Sequence, residues 1–595
     1  MNFNPFPIYG LLFVAYLVLF VSIKLTRPTK EILSSIHFGL LSLFALQGLA
    51  SLTFGMTGIA LSQKNINLAL LIPILPMATW CYQYRQKIQS SISQAYVDQR
   101  IFFVYLACAL LAITAGLLFF TTDLIPSSMT GDPARHFMLI INPAETGQAL
   151  THKPVYYLWA GLFIHALSAL QNDQLFVLFN IFVLGLSTSS CLLILLKIFP
   201  LIGRLPIFTA AMLVNFGYAL FALHFGYYTL LLSSAYLFSM LAALVEYKNS
   251  QDEKIYWLIT LLAIGIVLTH TYLAPDALFC LFMFDIWNAH RKSKKILSAI
   301  ARHLPFWMLI VLVAYASNLG IATGDAIERV IGVHGFVNNA IFLNFLPFLP
   351  FAAWYLAHHW RKDSAQLILL FTLATALFSL IMGVLFWTGH AAPYYLNRNQ
   401  IILLPLLVFA IIALLHETEG HRAAFTRELY IFLAVLVITP YLLVKNQPLS
   451  QSHKIFRDLL DDEAWVYLEN PINTSYAPLQ MTARDRTLMR QIGSGESNCL
   501  AGVRDKVAVL GTDHQTIWFY LYTHIYPSLF QRDDGFIRFD NYVRNYKEWK
   551  AGPANQYIVI VSHFDTLYAS HLAEKIRTST QLVCKGDSIA IYRKP

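Results

Sequence analysis

The sequence predicts a polytopic α-helical membrane protein with about 14 transmembrane helices, followed by a small C-terminal α/β extracytoplasmic domain. Of the 595 residues, 57% are hydrophobic and 13% are charged, whereas soluble domains carry roughly 25% charged residues. Apolar runs of nearly membrane-spanning length recur from the N-terminus to Lys445. Beyond Lys445 the composition is that of an ordinary soluble domain, which predicts a change of architecture there.

Fifteen apolar runs precede the change of composition. They cover 8–23, 34–61, 66–82, 101–120, 155–170, 174–196, 205–223, 226–246, 255–270, 274–288, 304–319, 340–358, 364–388, 399–415 and 428–445. The chain opens without a basic segment or a small-residue cleavage site, so the first run is predicted to be a retained helix and not a removable signal peptide.

The distribution of charge indicates that one of these runs does not cross the membrane. If all fifteen crossed, Lys197 and Arg204 would lie opposite the basic loop that contains Lys87. The short run from Val155 to Leu170 follows a long polar loop and is predicted to lie along the interface. Fourteen spans then remain, with 19 Lys and Arg in cytoplasmic loops and five in outer loops. The net charge of +8 on the first 445 residues therefore indicates orientation, and not binding to nucleic acid.

The C-terminal segment holds 17 Lys and Arg and 16 Asp and Glu. Short apolar stretches at Lys506–Leu510, Tyr557–Ser562 and Ser588–Tyr592 predict strands, and Phe564–Thr578 predicts an amphipathic helix. Cys499 and Cys584 are its only cysteines. They could form a disulfide in an oxidising compartment, although sequence alone leaves their separation open.

Polar residues concentrate in the first outer loop, residues 121–154. It contains Gly131-Asp132-Pro133-Ala134-Arg135-His136-Phe137 and ends in Thr151-His152-Lys153-Pro154-Val155-Tyr156-Tyr157. An acid, a guanidinium and two imidazoles beside an apolar interface are typical of a functional site, and the alternative is an ordinary polar loop. The sequence contains no metal-type Cys/His spacing, no phosphate-binding glycine loop and no nucleophile elbow.

An acid before a histidine and an aromatic residue, followed by Lys-Pro-Val-Tyr-Tyr, resembles the first outer loop of the GT-C glycosyltransferase superfamily. That superfamily includes lipid A aminoarabinose transferases, protein O-mannosyltransferases and, more distantly, mycobacterial arabinofuranosyltransferases. The resemblance implies three additional helices in residues 1–100, an eleven-helix catalytic core in 101–445, and an extracytoplasmic domain in 446–595.

The resemblance also implies a reaction. A sugar moves from a polyprenyl-phosphate donor to an acceptor hydroxyl on the outer face, with inversion. The family's loop acid acts as general base, and the matching residue is Asp132, with Asp123 as the second candidate. A carboxylate suits this role because the attacking hydroxyl must lose its proton as an oxocarbenium-like transition state develops.

The departing phosphate requires a cation. Arg398 lies in the loop Gly389–Gln400, which is similar to the family's Arg/Tyr segment, and a guanidinium can hold two phosphate oxygens while remaining charged. The alternative role of Arg398 is an interface anchor beside its tyrosine neighbours. Arg135 and Lys153 are further candidates for the phosphate, and each could equally be a surface cation.

Other polar and aromatic residues are candidates for the substrate cavity. They are His136, Tyr156, His270, Asp276, His334, Tyr394, Tyr395 and Asn397. For His270 and Asp276 the alternative is a mutually satisfied polar turn. A divalent metal shared by Asp132, Asp123 and His136 is compatible with these residue types, although no motif requires one.

These predictions describe an integral protein of the bacterial inner membrane with its active site on the periplasmic side. Its partners would be the lipid-linked sugar donor, membrane lipids, and a glycan, lipid or protein acceptor, but not nucleic acid. Two alternatives stay open. A secondary transporter usually shows internal repeats, which are absent from this sequence. A ligase or polymerase of lipid-linked glycans typically uses an outer loop richer in cations.

Overall fold

A computed structural model provides the structure of the chain. The residues that it describes are 6–26, 30–57, 73–120, 136–137, 140, 153–166, 171–215, 222–223, 228–292, 295–318, 349–387, 400–418, 427–431, 483–500, 507–510, 513–525, 557–561, 576–587 and 589–594. Every structural statement below concerns these residues.

The described part before residue 446 is helical. Its helices are α1 (Phe6–Leu25), α2 (Ile32–Met56), α3 (Ile74–Gln83), α4 (Arg85–Ser93), α5 (Gln99–Phe120), α6 (Pro154–Ala166), α7 (Asn172–Ile198), α8 (Arg204–Val214), α9 (Tyr228–Ser250), α10 (Lys254–His270), α11 (Ala274–Arg291), α12 (Ile296–Asn318), α13 (Leu349–His359), α14 (Asp363–Trp387) and α15 (Gln400–Thr418). A 3₁₀ turn, Thr271–Leu273, joins α10 to α11.

Six of these helices are long and apolar enough to cross a membrane by length and composition. They are α2, α5, α7, α9, α12 and α14. Five shorter apolar helices accompany them, and other predicted spans, such as 428–445, lie largely outside the described residues. The structure confirms the predicted class of a helical membrane protein with a small C-terminal α/β domain.

Helices α7, α9 and α10 form the centre of the bundle. The most apolar segment of α9 is entirely buried, whereas only 18% of the residues in the corresponding segment of α12 are buried. Hydroxyl groups support the central packing, since Ser187 and Ser234 share a hydrogen bond of 2.7 Å between α7 and α9. A side chain on α12 such as Met308 is 63% exposed, as expected of a surface that faces lipid.

The N-terminal helices are packed into this centre. His37 of α2 is buried, and its Nε2 atom lies 2.9 Å from Ser239 Oγ of α9 and 3.0 Å from Ser190 Oγ of α7. Tyr236 of α9 donates a hydrogen bond to the carbonyl of Leu41. Helix α2 is therefore packed within the bundle, and the division into three additional N-terminal helices and a catalytic core stays a prediction.

Helix α6, which lies in the run predicted not to cross, has 13 residues. At 1.5 Å per residue these described residues extend for about 20 Å. The helix contacts α1, α2, α7 and α10. Gly48 of α2 permits this approach, because a Cβ atom there would collide with Val155. Most of α6 is therefore buried among helices; its predicted position at the interface stays a prediction.

The C-terminal region contains α16 (Ala483–Ser494), a 3₁₀ turn at Asn498–Leu500, α17 (Asp513–Thr523) and four strands. The strands are β1 (Ala508–Leu510), β2 (Tyr557–Val561), β3 (Gln581–Lys585) and β4 (Ile589–Arg593), in the order β1-β2-β4-β3. β1 and β2 are parallel, while β4 is antiparallel to both β2 and β3.

Three of these strands match the predicted apolar stretches, but β3 was missed. Of the helix predicted over Phe564–Thr578, only the end is among the described residues, where 576–579 are helical. Cys499 and Cys584 form a disulfide with their Cα atoms 5.7 Å apart. The bridge joins the 3₁₀ turn after α16 to strand β3.

Candidate functional site

The first outer loop is anchored at one end of the bundle by His136 and Phe137. We call this end, at which α7 and α9 begin and α10 terminates, the loop end. His136 is 7% exposed, and its Nδ1 atom lies 2.9 Å from the hydroxyl of Tyr157. Its ring centroid is 5.2 Å from that of Tyr156 and 5.9 Å from that of Tyr228. The histidine is thus enclosed by three tyrosines from α6 and α9.

Tyr156 is itself held by a hydrogen bond. Its hydroxyl donates to Asn180 Oδ1 at 2.8 Å, and Asn180 Nδ2 donates to the carbonyl of Phe176 at 2.9 Å. Each polar atom in this chain is buried, so each needs its partner. Helix α6 therefore presents Tyr156 and Tyr157 to the loop in a defined orientation.

Phe137 connects the same loop to the C-terminal region. Its ring centroid lies 5.2 Å from that of Phe176 on α7 and 5.4 Å from that of Trp518 on α17. All three rings are buried. A residue of the first outer loop therefore packs between a membrane helix and the C-terminal domain.

A polar cluster around Asp173, the second residue of α7, binds the C-terminal domain to the loop end. Arg490 Nη2 lies 2.7 Å from Asp173 Oδ1, while Arg486 Nη1 lies 3.3 Å from Oδ2. The hydroxyl of Tyr522 donates to Oδ2 at 2.6 Å. Only 1% of the Asp173 side chain is exposed. The carboxylate thus receives donors from both α16 and α17.

The Tyr522 hydroxyl is suited to be a donor. Burial, followed by the negative charge of Asp173, raises its pKa well above the ordinary tyrosine value. The hydroxyl consequently keeps its proton at physiological pH and continues to donate to the carboxylate.

His270 and Asp276 also lie at the loop end. His270 is the last residue of α10, Asp276 is in the first turn of α11, and both side chains are buried. Neither oxygen of Asp276 has a hydrogen-bond partner among the described residues. A buried carboxyl group in this state can accept a hydrogen bond from a ligand hydroxyl or amine. The mutually satisfied polar turn considered from the sequence is not what the described residues show.

Several predicted site residues lie outside the described residues. They are Asp123, Asp132, Arg135, His334, Tyr394, Tyr395, Asn397 and Arg398. Lys153 is described and half-buried immediately before α6. Among the predicted site residues that are described, His136 and Tyr156 are in contact, and His270 and Asp276 lie at the same end of the bundle. In the part of the chain that is described, no three His, Cys, Asp or Glu side chains form a group that could hold a metal.

Sequence reasoning missed the residues that bind the C-terminal domain. The sequence pattern predicted no role for Asp173, Arg486, Arg490, Trp518 or Tyr522. No local signal was available, since the helix dipole favours an acid in the first turn whether or not it has a partner.

No family model and no curated protein sequence matches the chain. Among solved structures, it is similar to the oligosaccharyltransferase of Archaeoglobus fulgidus in complex with zinc and sulfate. The identity is 12% and the TM-score 0.43, covering 79% of this chain and 69% of that one. It is also similar to ArnT from Cupriavidus metallidurans in the apo state, with 12% identity and a TM-score of 0.42, over 81% of this chain and 97% of that one.

A third similar structure is the archaeal oligosaccharyltransferase AglB from Archaeoglobus fulgidus in complex with an inhibitory peptide and a dolichol-phosphate. The identity is 12% and the TM-score 0.42, over 80% of this chain and 70% of that one. These similarities concern the fold alone.

Proposed function

We propose that this protein is a membrane glycosyltransferase that moves a sugar from a polyprenyl-phosphate donor to an acceptor hydroxyl at the loop end. The observation that carries the proposal is the enclosure of His136 and Phe137 between α6, α7, α9 and α17. This contact anchors the polar first outer loop at the mouth of the helical bundle. A lipid-linked donor and a water-soluble acceptor would meet at such a boundary.

Asp132 is the proposed general base. It precedes His136 by four residues, and four residues span at most about 14 Å. The anchored histidine therefore limits how far the carboxylate can lie from the three tyrosines around His136. A positioned base accepts the proton of the attacking hydroxyl and typically accelerates such a step by roughly 10²–10⁴-fold. Asp123 is the alternative base.

Arg398 is the proposed ligand of the departing phosphate, supported by Arg135 and Lys153. Lys153 directly precedes α6, so its charge lies next to the helix that holds Tyr156 and Tyr157. Buried Asp276 is proposed to accept a hydrogen bond from a sugar hydroxyl or amine. We further propose that the loop end faces the periplasm, that residues 101–445 form the catalytic core, and that residues 446–595 form the domain covering it.

The base is tested with the purified full-length protein, a panel of polyprenyl-phosphate hexoses and pentoses, and cell-envelope extract as acceptor. Release of polyprenyl phosphate is measured. Asp132→Asn should reduce the rate at least ~100-fold because the base is lost, whereas the same loss in Asp123→Asn alone would assign the base to Asp123. A fully active Asp132→Asn protein with the same melting temperature as the wild type would disprove the assignment.

The anchor is tested separately. Phe137→Ala removes a buried ring and should lower transfer while leaving the helical bundle folded, since α7 and α9 pack independently of it. Phe282→Ala, which truncates a 39% exposed ring on α11, is the control. If both variants transfer sugar at the wild-type rate, docking of the loop against Trp518 is not needed for the reaction.

A further inference from the structure

A cavity lies at the end of the bundle opposite the loop end, which we call the basic end. Here α9 terminates and α10 and α12 begin. The cavity has a volume of about 230 Å³ and lies between α9, α11 and α12. It is smaller than the roughly 300–1,000 Å³ of a typical site for a drug-sized ligand. Its size therefore suits a small polar group more than a whole lipid or sugar chain.

One wall of the cavity is cationic. Lys295, Ser298 and Arg302 all line it. Ser298 and Arg302, four residues apart, lie on one face of α12. Lys295 directly precedes this 23-residue helix and Ser298 is in its first turn, where the helix dipole favours an anion. Lys295 is exposed and forms no ion pair with any residue that the structure describes.

The acids nearby already have partners. Asp285 Oδ2 accepts a hydrogen bond of 2.8 Å from the hydroxyl of Tyr256 and lies 2.9 Å from His303 Nδ1. Glu253 Oε1 accepts a hydrogen bond of 2.8 Å from Arg302 Nη1. These pairs keep the acids from neutralising Lys295, which is left to attract a ligand anion.

The opposite wall supplies uncharged acceptors. Asn288, on α11, is 8% exposed, and its Oδ1 atom has no hydrogen-bond partner among the described residues. Gln251 uses its amide nitrogen for the carbonyls of Tyr247 and Lys248, so its own oxygen remains an acceptor. A buried acceptor without a donor destabilises the folded protein. A ligand that carries a donor would remove this cost.

We propose that this cavity binds a phosphate-bearing polar headgroup that also carries a hydrogen-bond donor. The phosphate lies against Lys295 and Ser298 at the start of α12, and the donor group reaches Asn288 Oδ1. Phosphatidylethanolamine and phosphatidylglycerol have both features. Phosphatidylcholine has the phosphate, but its quaternary ammonium has no hydrogen to donate.

The test uses the purified full-length protein in neutral detergent. Native mass spectrometry measures the affinity for phosphatidylethanolamine, phosphatidylglycerol and phosphatidylcholine, with inorganic phosphate as competitor. Lys295→Ala should bind the first two lipids about tenfold more weakly, the change expected on losing one hydrogen bond to a charged group. Lys254→Ala is the matched control, because Lys254 is exposed at the basic end but does not line the cavity.

Asn288→Leu gives a second and independent measurement. It should weaken phosphatidylethanolamine binding about fivefold, as for one neutral hydrogen bond, and leave phosphatidylcholine binding unchanged. Lipid binding that inorganic phosphate does not displace supports a membrane lipid as the ligand, whereas displacement at low phosphate concentration supports a soluble phosphate compound. Equal affinities of the Lys295→Ala and Lys254→Ala proteins, or no binding of lipid or phosphate, would overturn the proposal.

Discussion

Asp173 at the loop end and Glu246 at the basic end are buried carboxylates that each face two cations. They differ in the length of their contacts to those cations. At the loop end, Asp173 accepts hydrogen bonds of 2.6–3.3 Å from two arginines and a tyrosine. At the basic end, Glu246 of α9 lies 3.6 Å from Lys24 Nζ and 3.8 Å from Lys197 Nζ. The first cluster is hydrogen-bonded, whereas the second has separations beyond ordinary hydrogen-bond length.

The difference follows from what each cluster joins. Lys24, Lys197 and Glu246 belong to helices that already pack through large apolar surfaces. Asp173 instead joins a membrane helix to α16 and α17, with Trp518 and Phe137 supplying the nearby apolar contact. An arginine can form two directional hydrogen bonds to one carboxylate. This suits the docking of a separate domain, because few contacts fix the orientation of that domain on the bundle. We therefore expect the loop end to depend more strongly on its carboxylate.

Replacing that carboxylate should have the largest effect. Asp173→Asn leaves Arg486, which is 9% exposed, buried beside a neutral amide. Breaking a buried ion pair by removing one partner typically costs about 3–5 kcal/mol. Hydrogen–deuterium exchange should accelerate across Ala483–Ser494 and stay unchanged in α9. Wild-type exchange in α16 would show that the cluster does not hold the domain.

Removing the disulfide should have the next largest effect and act only on the C-terminal domain. Cys499 and Cys584 are separated by 85 residues, and losing a native bridge of this kind costs about 2–4 kcal/mol. The Cys499→Ser/Cys584→Ser protein should unfold at lower denaturant concentration in its C-terminal domain, with the bundle unaffected.

The bridge itself is checked by alkylating the denatured wild-type protein. The other four of the six cysteines are free. Mass spectrometry should therefore find four labelled thiols before reduction and six afterwards. Six labelled thiols without reductant would contradict the disulfide.

Glu246→Gln should be milder than Asp173→Asn. The change leaves Lys24, with 3% of its side chain exposed, facing an uncharged amide. Because the ion-pair separations are long and Lys197 reaches solvent, we expect a loss of about 1–2 kcal/mol, below the usual range for a buried pair. The melting temperature of the bundle should fall while exchange in α16 remains normal. A loss larger than that of Asp173→Asn would reverse the ranking of the two ends.

Local sequence pattern predicted most of the architecture. Apolar runs predicted α7 and α9 because burial on all sides leaves nearly continuous hydrophobic sequence. Alternation and apolar character likewise predicted β1, β2 and β4. The edge strand β3 was missed because Gln581-Leu582-Val583-Cys584-Lys585 is largely exposed, so it carries no burial pattern.

The sequence named a few of the residues that meet at the loop end but not the contacts that hold that end together. The polar first outer loop drew attention to His136 and Tyr156, which the structure does bring together. The partners of Asp173 are 313 and 349 residues away at Arg486 and Tyr522. Contacts between residues so far apart along the chain produce no periodic pattern in the sequence, so they are visible only in the folded structure.

The smallest expected effect is a pH dependence at the basic end. Partial burial tends to raise the pKa of Glu253, but hydrogen bonds from Arg302 and His303 outweigh it and lower that pKa below its ordinary 4.5. A depressed carboxyl pKa stabilises the folded protein above the unfolded value, and this contribution is lost as pH falls through the folded pKa. The melting temperature should thus decline below about pH 4.5 less steeply in Glu253→Gln than in the wild type. If the melting temperatures of Glu253→Gln and the wild type decline equally as pH falls, the half-exposed pair at the basic end contributes nothing to the stability of the fold.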